Sequence, residues 1–166
     1  MTQDMLIQPV SEADLPLLAS WRRQAHVRRW WGPPEVEPEA EKLRETRVAM
    51  WIAAVAGRPL AFIQDYAVAD WMPHHFSYLP VGSRGMDVYI GEPGEVGQGH
   101  GARIVRHHAD YLFRLGVPAI GIDPHPENHR ARRAFARSGF LTASGPIVTR
   151  WGPAILMHRY AGGQSA

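Results

Sequence analysis

The fold can first be inferred from the segment Val96-Gly97-Gln98-Gly99-His100-Gly101-Ala102-Arg103, which follows a strand-like run at residues 86–90. Alternate glycines let the backbone come close to a ligand, and the free amide hydrogens at a helix start attract anions. Residues 102–115 then place apolar side chains at the spacing of a helix. A strand, a glycine turn and a helix in this order predict a cradle for a pyrophosphate.

Two common nucleotide-binding patterns do not fit this turn. The Rossmann fingerprint requires the spacing G-x-G-x-x-G, whereas Gly97, Gly99 and Gly101 alternate. A Walker loop ends in Gly-Lys followed by Ser or Thr, whereas this turn ends in Gly101-Ala102-Arg103. The predicted cradle therefore belongs to neither of these two classes of nucleotide site.

The periodicity of apolar residues predicts seven strands and four helices in the order β-α-α-β-β-β-α-β-α-β-β. This order indicates one α/β or α+β sheet with helices on both faces. Residues 69–84 combine prolines, histidines and aromatics without periodicity, and we expect a long functional loop there. No repeat or linker interrupts the pattern, so residues 1–160 are expected to form one domain, followed by a disordered tail at 161–166.

Composition excludes several kinds of protein. The 166 residues are 45% hydrophobic and 20% charged, which is typical of one soluble globular domain. The absence of cysteine rules out disulfides, thiolate metal sites and cysteine nucleophiles. A formal net charge of +2 gives no reason to expect nucleic acid, and there is no apolar run long enough for a membrane span. Paired histidines at 74–75 and 107–108 lack a carboxylate at metal-ligand spacing, so no metal is expected.

A second motif follows the glycine turn at Asp123-Pro124-His125-Pro126-Glu127-Asn128-His129-Arg130-Ala131 and leads to Ser138-Gly139-Phe140. Together the two motifs resemble the acetyl-CoA site of the GNAT acetyltransferase superfamily, whose loop is usually Arg/Gln-x-x-Gly-x-Gly/Ala. Val96 stands where arginine or glutamine is usual, and Gln98 and His100 are the candidates to replace it. The resemblance implies the GNAT fold, a splayed, mixed and mostly antiparallel sheet of about seven strands that holds acetyl-CoA between its central strands.

The resemblance also implies where acetyl-CoA binds as a co-substrate. The implied cofactor-binding residues lie on the strand, in the turn and on the two following helices: Tyr89, Ile90, Gln98, Gly99, His100, Gly101, Ala102, Asn128, Arg133 and Phe135. Phe135 stands where many members carry a tyrosine that protonates the departing thiolate, and phenylalanine has no proton to give. Because acetyl-CoA is cytosolic and the N-terminus lacks a secretion signal, a cytoplasmic location is expected.

Four further stretches extend the resemblance to nearly the whole chain. The segments at residues 26–32, 63–66, 84–87 and 152–154 occur in this order in the aminoglycoside 6'-N-acetyltransferases. A related branch acetylates hydroxylysine in siderophore synthesis and shares the His-x-x-x-x-Trp start. The strand Arg84-Gly85-Met86-Asp87 favours the aminoglycoside branch.

The implied chemistry is direct transfer, in which a primary amine attacks the thioester carbonyl of acetyl-CoA. The tetrahedral intermediate collapses to an amide and CoA, and a backbone amide stabilises its oxyanion. The amine is largely protonated at neutral pH, so a carboxylate must take its proton, directly or through water. Asp87 is the leading candidate for this base, and its alternative interpretation is a surface strand residue or a turn partner of Arg84.

Several residues match the positions that line the sugar site of the family. Trp31, Gln64 and Tyr66 supply flat rings and an amide for sugars, although Trp31 is also compatible with core packing. Asp123 is expected either to bind a cationic substrate beside Asp87 or to cap the loop through Asn128. The glutamates at residues 35–41 are expected either to attract a polycation or to form a solvated helix face.

These observations predict an acetyl-CoA-dependent N-acetyltransferase that acts on a primary amine of a small polycationic molecule, foremost the 6'-amine of aminoglycosides, which implies antibiotic resistance. Two alternatives stay open. One is a siderophore-pathway hydroxylysine N-acyltransferase, and the other is a non-catalytic acyl-CoA-binding sensor, motivated by Val96 and Phe135. The chain is expected to be a monomer or a homodimer.

Overall fold

The computed structural model describes residues 4–163, and a seven-stranded sheet with strand order β1-β2-β3-β4-β5-β7-β6 forms its centre. The parallel pair within the described residues is β4 with β5, and the other five pairs are antiparallel. The predicted mixed and mostly antiparallel sheet is confirmed. The strands are β1 Met5–Pro9, β2 Val48–Val55, β3 Arg58–Ala67, β4 Arg84–Ile90, β5 Ala119–Ile122, β6 Leu141–Thr149 and β7 Gly152–Tyr160.

Five α-helices lie in the described part of the chain, one more than the sequence predicts. They are α1 Leu15–Arg23, α2 Ala25–Trp31, α3 Glu39–Arg44, α4 His100–Arg114 and α5 His129–Arg137. The additional helix is α2, because the extended backbone of Gln24 (ψ 135°) interrupts the first helix and a second one starts directly after it. None of the helices in residues 4–163 combines the length and apolarity needed to cross a bilayer.

The ends of the chain differ from the expectation in one respect. Residues Ala161–Gly163, predicted to begin a disordered tail, form a short 3-10 turn in which the Ala161 amide donates to the Pro118 carbonyl at 2.9 Å. Residues 164–166 lie outside the described residues, as do residues 1–3. The strands from Met5 to Tyr160 join one sheet.

Helices cover both faces of the sheet, as predicted, because successive residues of a strand face opposite sides. On β3, Phe62 packs with Leu18 and Trp21 of α1. Its neighbour Ile63 packs on the other side with Ile104 and other residues of α4. Two apolar cores therefore hold the central strands from opposite faces.

The two central strands separate soon after they meet. Strand β4 pairs with β5 at Arg84–Ile120 and Gly85–Gly121, whereas it continues to pair with β3 as far as Ile90. Aromatic rings occupy the space beside both glycines at this last pair: a Cβ on Gly121 would lie 2.5 Å from the Phe76 ring, and one on Gly85 would collide with the Tyr66 ring. Beyond this point a gap opens, and the β4 edge that faces it has no strand partner.

A buried arginine fixes the segment that passes over this gap. Arg22 of α1 is 1% exposed, and its Nη1 donates to Oε1 of the buried Glu39 at 2.6 Å. Its remaining N–H groups donate to backbone carbonyls of the loop between α2 and α3, at Trp31, Gly32, Pro33 and Val36. One planar guanidinium therefore sets the position of Trp31 at one end of the loop and of α3 at the other.

Arg22→Met is expected to lower the free energy of unfolding by about 3–5 kcal/mol, because it leaves the Glu39 carboxylate buried without its partner. Urea unfolding followed by circular dichroism measures the change. The double variant Arg22→Met/Glu39→Gln removes the unpaired charge and is expected to recover part of the loss. A single variant as stable as the wild type would show that this ion pair does not hold the loop.

Candidate active site

A cleft of about 510 Å³ opens at the gap between β4 and β5. The loop between α2 and α3, together with α3, forms one wall, and the β6–β7 hairpin forms the opposite wall. Five carboxylates line the cleft, from Glu37, Glu41, Glu45, Asp87 and Asp123, together with one lysine, Lys42. Six aromatic residues also line it, namely Trp30, Trp31, Tyr66, Trp71, Phe135 and Trp151. Negative charge beside flat apolar surfaces suits a small polycation that also has hydrophobic faces.

Asp87 lies at the base of the cleft, where β4 leaves β5. Its Oδ2 accepts a hydrogen bond from Nε2 of Gln64 on β3 at 2.9 Å. Burial, reinforced by the neighbouring Asp123 carboxylate, raises the pKa of Asp87 to about 7, although the Gln64 hydrogen bond and the Lys42 charge oppose the rise. A partly buried carboxyl with this pKa is suited to take and return a proton near neutral pH.

Asp123 follows β5 on the other side of the gap. Its Oδ2 lies 2.7 Å from Nε2 of His75, which belongs to the loop between β3 and β4. Asn128, the residue through which Asp123 was alternatively expected to cap the loop, caps α5, since its Oδ1 accepts from the Ala131 amide at 3.2 Å. The Asp123 carboxylate is therefore placed beside Asp87.

Tyr66 lies in the cleft and is held through its hydroxyl. Its Oη lies 3.3 Å from Nε2 of His74. The Nδ1 of His74 accepts from the Phe76 amide at 3.0 Å, so the ring proton is on Nε2 and donates to Tyr66. Burial and the nearby charges of His75 and Arg150 lower the pKa of His74 to about 4, which keeps this imidazole neutral.

Trp31 serves both of the roles that its sequence position allows. Its ring packs edge-on against Phe62 and Tyr89, with centroids 5.7 and 4.9 Å apart, and it also lines the cleft. Trp30 lines the cleft as well, where it lies 5.2 Å from the ring of His125. Both tryptophans are partly exposed, so each leaves ring surface open to a ligand.

The glutamates at residues 35–41 were expected either to attract a polycation or to form a solvated helix face, and their positions in the structure differ. Glu37 and Glu41 line the cleft, whereas Glu39 is buried against Arg22 and Glu35 is exposed. Lys42, the next residue after Glu41, donates from Nζ to Oε1 of Gln64 at 3.1 Å. The segment therefore contributes both the negative rim of the cleft and one inward positive charge.

The glycine turn forms an open helix start beside the cleft. Gly97 and Gly99 have φ of 80° and 83°, a left-handed conformation that favours glycine. Gly99 is the N-cap residue of α4, and no side chain in residues 4–163 caps this helix start, so its first amides are available to bind an anion. His100 lies 3.1 Å from Glu95 through Nε2, and its buried Nδ1 has no hydrogen-bond partner within the described residues.

The predicted site residues fall into two groups. Asn128 and Phe135 line the cleft together with Trp31, Gln64, Tyr66, Asp87 and Asp123. The glycine-turn residues Gln98, Gly99, His100, Gly101 and Ala102 lie outside the cleft lining, and an added Cβ on Gly101 would lie 3.9 Å from Ala134 of α5. Arg133 is exposed on α5.

Two predicted cofactor residues can contribute only through their backbone. The Tyr89 side chain is 7% exposed and stacks on Phe62, 5.2 Å between ring centroids, under α1 and α2. The Ile90 side chain packs into the core on the α4 face, and its carbonyl already lies 2.8 Å from Nε2 of His26. Both residues lie on the β4 strand that borders the gap.

Four residues of the site escape the sequence motifs: Lys42, Trp71 and Trp151, which line the cleft, and His75, which is hydrogen-bonded to Asp123. Three of them lie in loops or turns without periodicity, where tertiary contacts alone decide which side chains face inward. Lys42 could have been singled out from the sequence, because it is the only lysine in the chain. Across residues 4–163 no three His, Asp or Glu side chains form a group that could hold a metal ion.

A split sheet, an open helix start beside the split and a carboxylate inside it define an acyltransferase of the GNAT type. The family model described as acetyltransferase (GNAT) domain matches residues 10–145, and the chain belongs to this family.

The chain resembles several aminoglycoside acetyltransferases. It is 30% identical over 162 residues to aminoglycoside N(6')-acetyltransferase type 1 of Klebsiella pneumoniae, covering 89% of this chain and 79% of that one. The protein of that name from Serratia marcescens matches equally well. The crystal structure of aminoglycoside acetyltransferase AAC(6')-Ib with coenzyme A and kanamycin superposes with a TM-score of 0.86 at 28% identity, covering 96% of each chain.

Asp87→Asn is expected to change how stability depends on pH. The folded chain raises the pKa of Asp87 from 3.8 to about 7, so the folded state binds more protons than the unfolded state between these values. Wild-type stability therefore falls through this window as pH rises, and the variant lacks this contribution. The free energy of unfolding of the variant minus that of the wild type should therefore be larger at about pH 8 than at about pH 5, by about 1–3 kcal/mol.

Urea unfolding at the two pH values measures this difference, and other groups cancel because both proteins share them. Glu41→Gln, which removes an exposed carboxylate from the rim of the same cleft, is the matched control. Parallel pH dependence of the wild type and Asp87→Asn would contradict the raised pKa of Asp87.

Proposed function

We propose that this protein transfers the acetyl group of acetyl-CoA to the 6'-amine of aminoglycosides. The observation that carries the proposal is the acidic and aromatic cleft that leads to Asp87 in the gap between β4 and β5. An aminoglycoside is a polycation built of sugar rings, so it matches both the carboxylates and the flat side chains of this cleft. The 30% identity to aminoglycoside N(6')-acetyltransferases supports the same substrate class.

Acetyl-CoA enters this proposal as the second substrate, bound along the other side of the gap. The amides at the start of α4 bind its pyrophosphate, with Gln98 and His100 near the position where Val96 replaces the usual arginine or glutamine. The buried Nδ1 of His100, which has no partner among the described residues, is a polar group ready for such a ligand. Arg133 of α5 supplies a positive charge for the phosphates.

The thioester arm fits the unpaired edge of β4. Strand residues alternate the direction of their backbone groups, so part of the edge after Gly85 presents amide and carbonyl groups to the gap. These groups bind the amides of the arm, and one N–H stabilises the oxyanion that forms on the thioester carbonyl. Phe135 and Asn128, which line the cleft, lie near the end of this path.

Asp87 then acts as the base of the transfer. It accepts a proton from the 6'-ammonium, and the free amine attacks the thioester carbonyl. The nitrogen of the tetrahedral intermediate loses its second proton to water, and the intermediate expels CoA thiolate as the C–S bond breaks to leave the amide. The carboxylate of Asp123 lies beside it and binds the positive charge of the acceptor. Because Phe135 cannot donate a proton, the thiolate leaves as the anion or takes its proton from water.

The rim of the cleft gives the acceptor its orientation. Glu37, Glu41 and Glu45 attract the other ammonium groups of an aminoglycoside, and Trp31 and Trp151 cover its sugar faces. Glu39 takes no part, because its carboxylate is buried against Arg22. The modification removes a positive charge from the antibiotic, and we place it in the cytoplasm, where acetyl-CoA is made.

The test measures CoA thiol release from acetyl-CoA with a matched pair of aminoglycosides that carry a 6'-amine or a 6'-hydroxyl. Release is expected with the amine alone, and Asp87→Asn is expected to lower kcat by about 100- to 10,000-fold. Hydroxylysine serves as the competing acceptor. Turnover of hydroxylysine instead would favour the siderophore pathway, and tight acetyl-CoA binding without turnover of any amine would favour a sensor.

Phe135→Tyr tests how the thiolate leaves. Phe135 is 6% exposed and borders the cleft, so a tyrosine there places a hydroxyl within the same packing. If thiolate protonation limits turnover, kcat should rise by about tenfold or less while KM for the acceptor stays constant. An unchanged kcat would show that the step does not need a protein acid, and Phe135→Leu is the control for altered packing.

A further inference from the structure

Lys42, the one lysine of the chain, lies in the wall of the acidic cleft. It belongs to α3, the helix that the buried Arg22–Glu39 pair holds in place. Its Nζ lies 5.7 Å from the centre of the Trp31 ring, a distance at which a cation and an aromatic face attract each other. Burial lowers the pKa of the Lys42 ammonium, whereas the charges of Glu39, Glu37 and Asp87 raise it. A positive charge at this place would repel a cationic acceptor, so Lys42 is expected to have a role other than binding the acceptor.

Two hydrogen bonds connect Lys42 with Asp87. The ammonium has donors and no acceptor, so the 3.1 Å contact of its Nζ with Gln64 involves the amide oxygen Oε1. The Nε2 of the same amide is thereby turned towards Asp87, and it donates to Oδ2 at 2.9 Å. Without Lys42, the Gln64 amide can rotate and present its oxygen to Asp87, an arrangement that needs a protonated carboxyl.

The surroundings of Asp87 otherwise favour its protonated form. Asp123 from the end of β5 adds a second negative charge, and His75 from the β3–β4 loop is hydrogen-bonded to Asp123. Tyr66 on β3 faces the same carboxyls and carries no positive charge. Among the groups that act on Asp87, Gln64 and Lys42 are those that favour its ionised form. They are also the two members of the hydrogen-bonded chain.

We propose that Lys42 is a positioning residue of the acceptor site, which turns the Gln64 amide N–H towards Asp87 and keeps this carboxyl able to accept a proton. The inference rests on the proposed function, because an ionised Asp87 matters for an acceptor amine. It also explains why a cation is kept where it repels the substrate: the charge lies against Trp31 and Gln64, and it acts on the base and not on the sugar-binding rim.

The direct experiment follows the Asp87 carboxyl by ¹³C NMR in protein labelled at aspartate, with its signal identified by its loss in Asp87→Asn. Lys42→Met is expected to raise the midpoint of the Asp87 titration by about one pH unit, since charge and amide orientation are lost together. Lys42→Arg keeps a charged donor and is expected to stay within about 0.3 units of the wild type. This measurement needs no substrate and no activity.

Two further variants show whether the effect passes through Gln64. Arg150→Met removes one positive charge from an exposed position on the β6–β7 turn, without a bond to this chain of residues, and should shift the midpoint less than Lys42→Met does. Gln64→Leu breaks the chain in the middle and should raise the midpoint. In the double variant Gln64→Leu/Lys42→Met, the Asp87 midpoint should then shift by less than the sum of the two single shifts.

A kinetic experiment tests the consequence for catalysis. Below the midpoint of the base, kcat/KM should fall up to about tenfold in Lys42→Met, with the acidic limb of the pH profile displaced upwards and the limit at high pH retained. A role for Lys42 in folding alone would lower activity equally at every pH. Lys42→Arg should restore the wild-type profile.

An Asp87 midpoint in Lys42→Met within about 0.2 units of the wild type would overturn the inference, as would an equal shift in Arg150→Met. A shifted midpoint in a protein that acetylates no aminoglycoside would support the positioning role and remove the proposed function. The two claims therefore fail on different measurements.

Discussion

The pairing of Gly85 with Gly121 is the contact on which the functional geometry depends. It is the last register at which the central strands β4 and β5 meet, and the rings of Tyr66 and Phe76 occupy the space where side chains would stand. Because β4 stays bonded to β3 beyond this point, the strands separate and expose one β4 edge. Asp87, two residues further along, therefore faces a gap that two substrates can enter from different sides.

Charge is distributed over this site in layers. The rim carries carboxylates that are solvated and available to bind cations, whereas Glu39 in the same segment forms a buried ion pair with Arg22. Deeper in the cleft, Asp123 raises the free energy of the ionised form of Asp87, and Lys42 opposes this through Gln64. The loop held by Arg22 ends in the helix of Lys42, so a core interaction supports the protonation state of the base.

The sequence allowed the fold and half of the site to be predicted, and the reasons are local. Glycine spacing, capping by Asn128 and apolar periodicity define strands and helices within a few residues, so the seven-stranded sheet follows. Motifs in the sequence pointed to five residues that the structure brings together in one cleft: Trp31, Gln64, Tyr66, Asp87 and Asp123. His75 reaches Asp123, and Trp151 reaches the cleft, from irregular segments, and the inward orientation of the Tyr89 side chain depends on the helices that pack over it. Such placements arise from tertiary packing.

A crystal structure of the protein with kanamycin and a non-reactive analogue of acetyl-CoA would test this arrangement. The thioester position is expected in the gap along the free edge of β4, with the 6'-amine nitrogen within hydrogen-bond distance of Asp87. The remaining ammonium groups should lie against Glu37, Glu41 and Glu45. A structure in which the CoA arm lies outside the gap, or in which every amine of kanamycin binds the rim and none reaches Asp87, would contradict it.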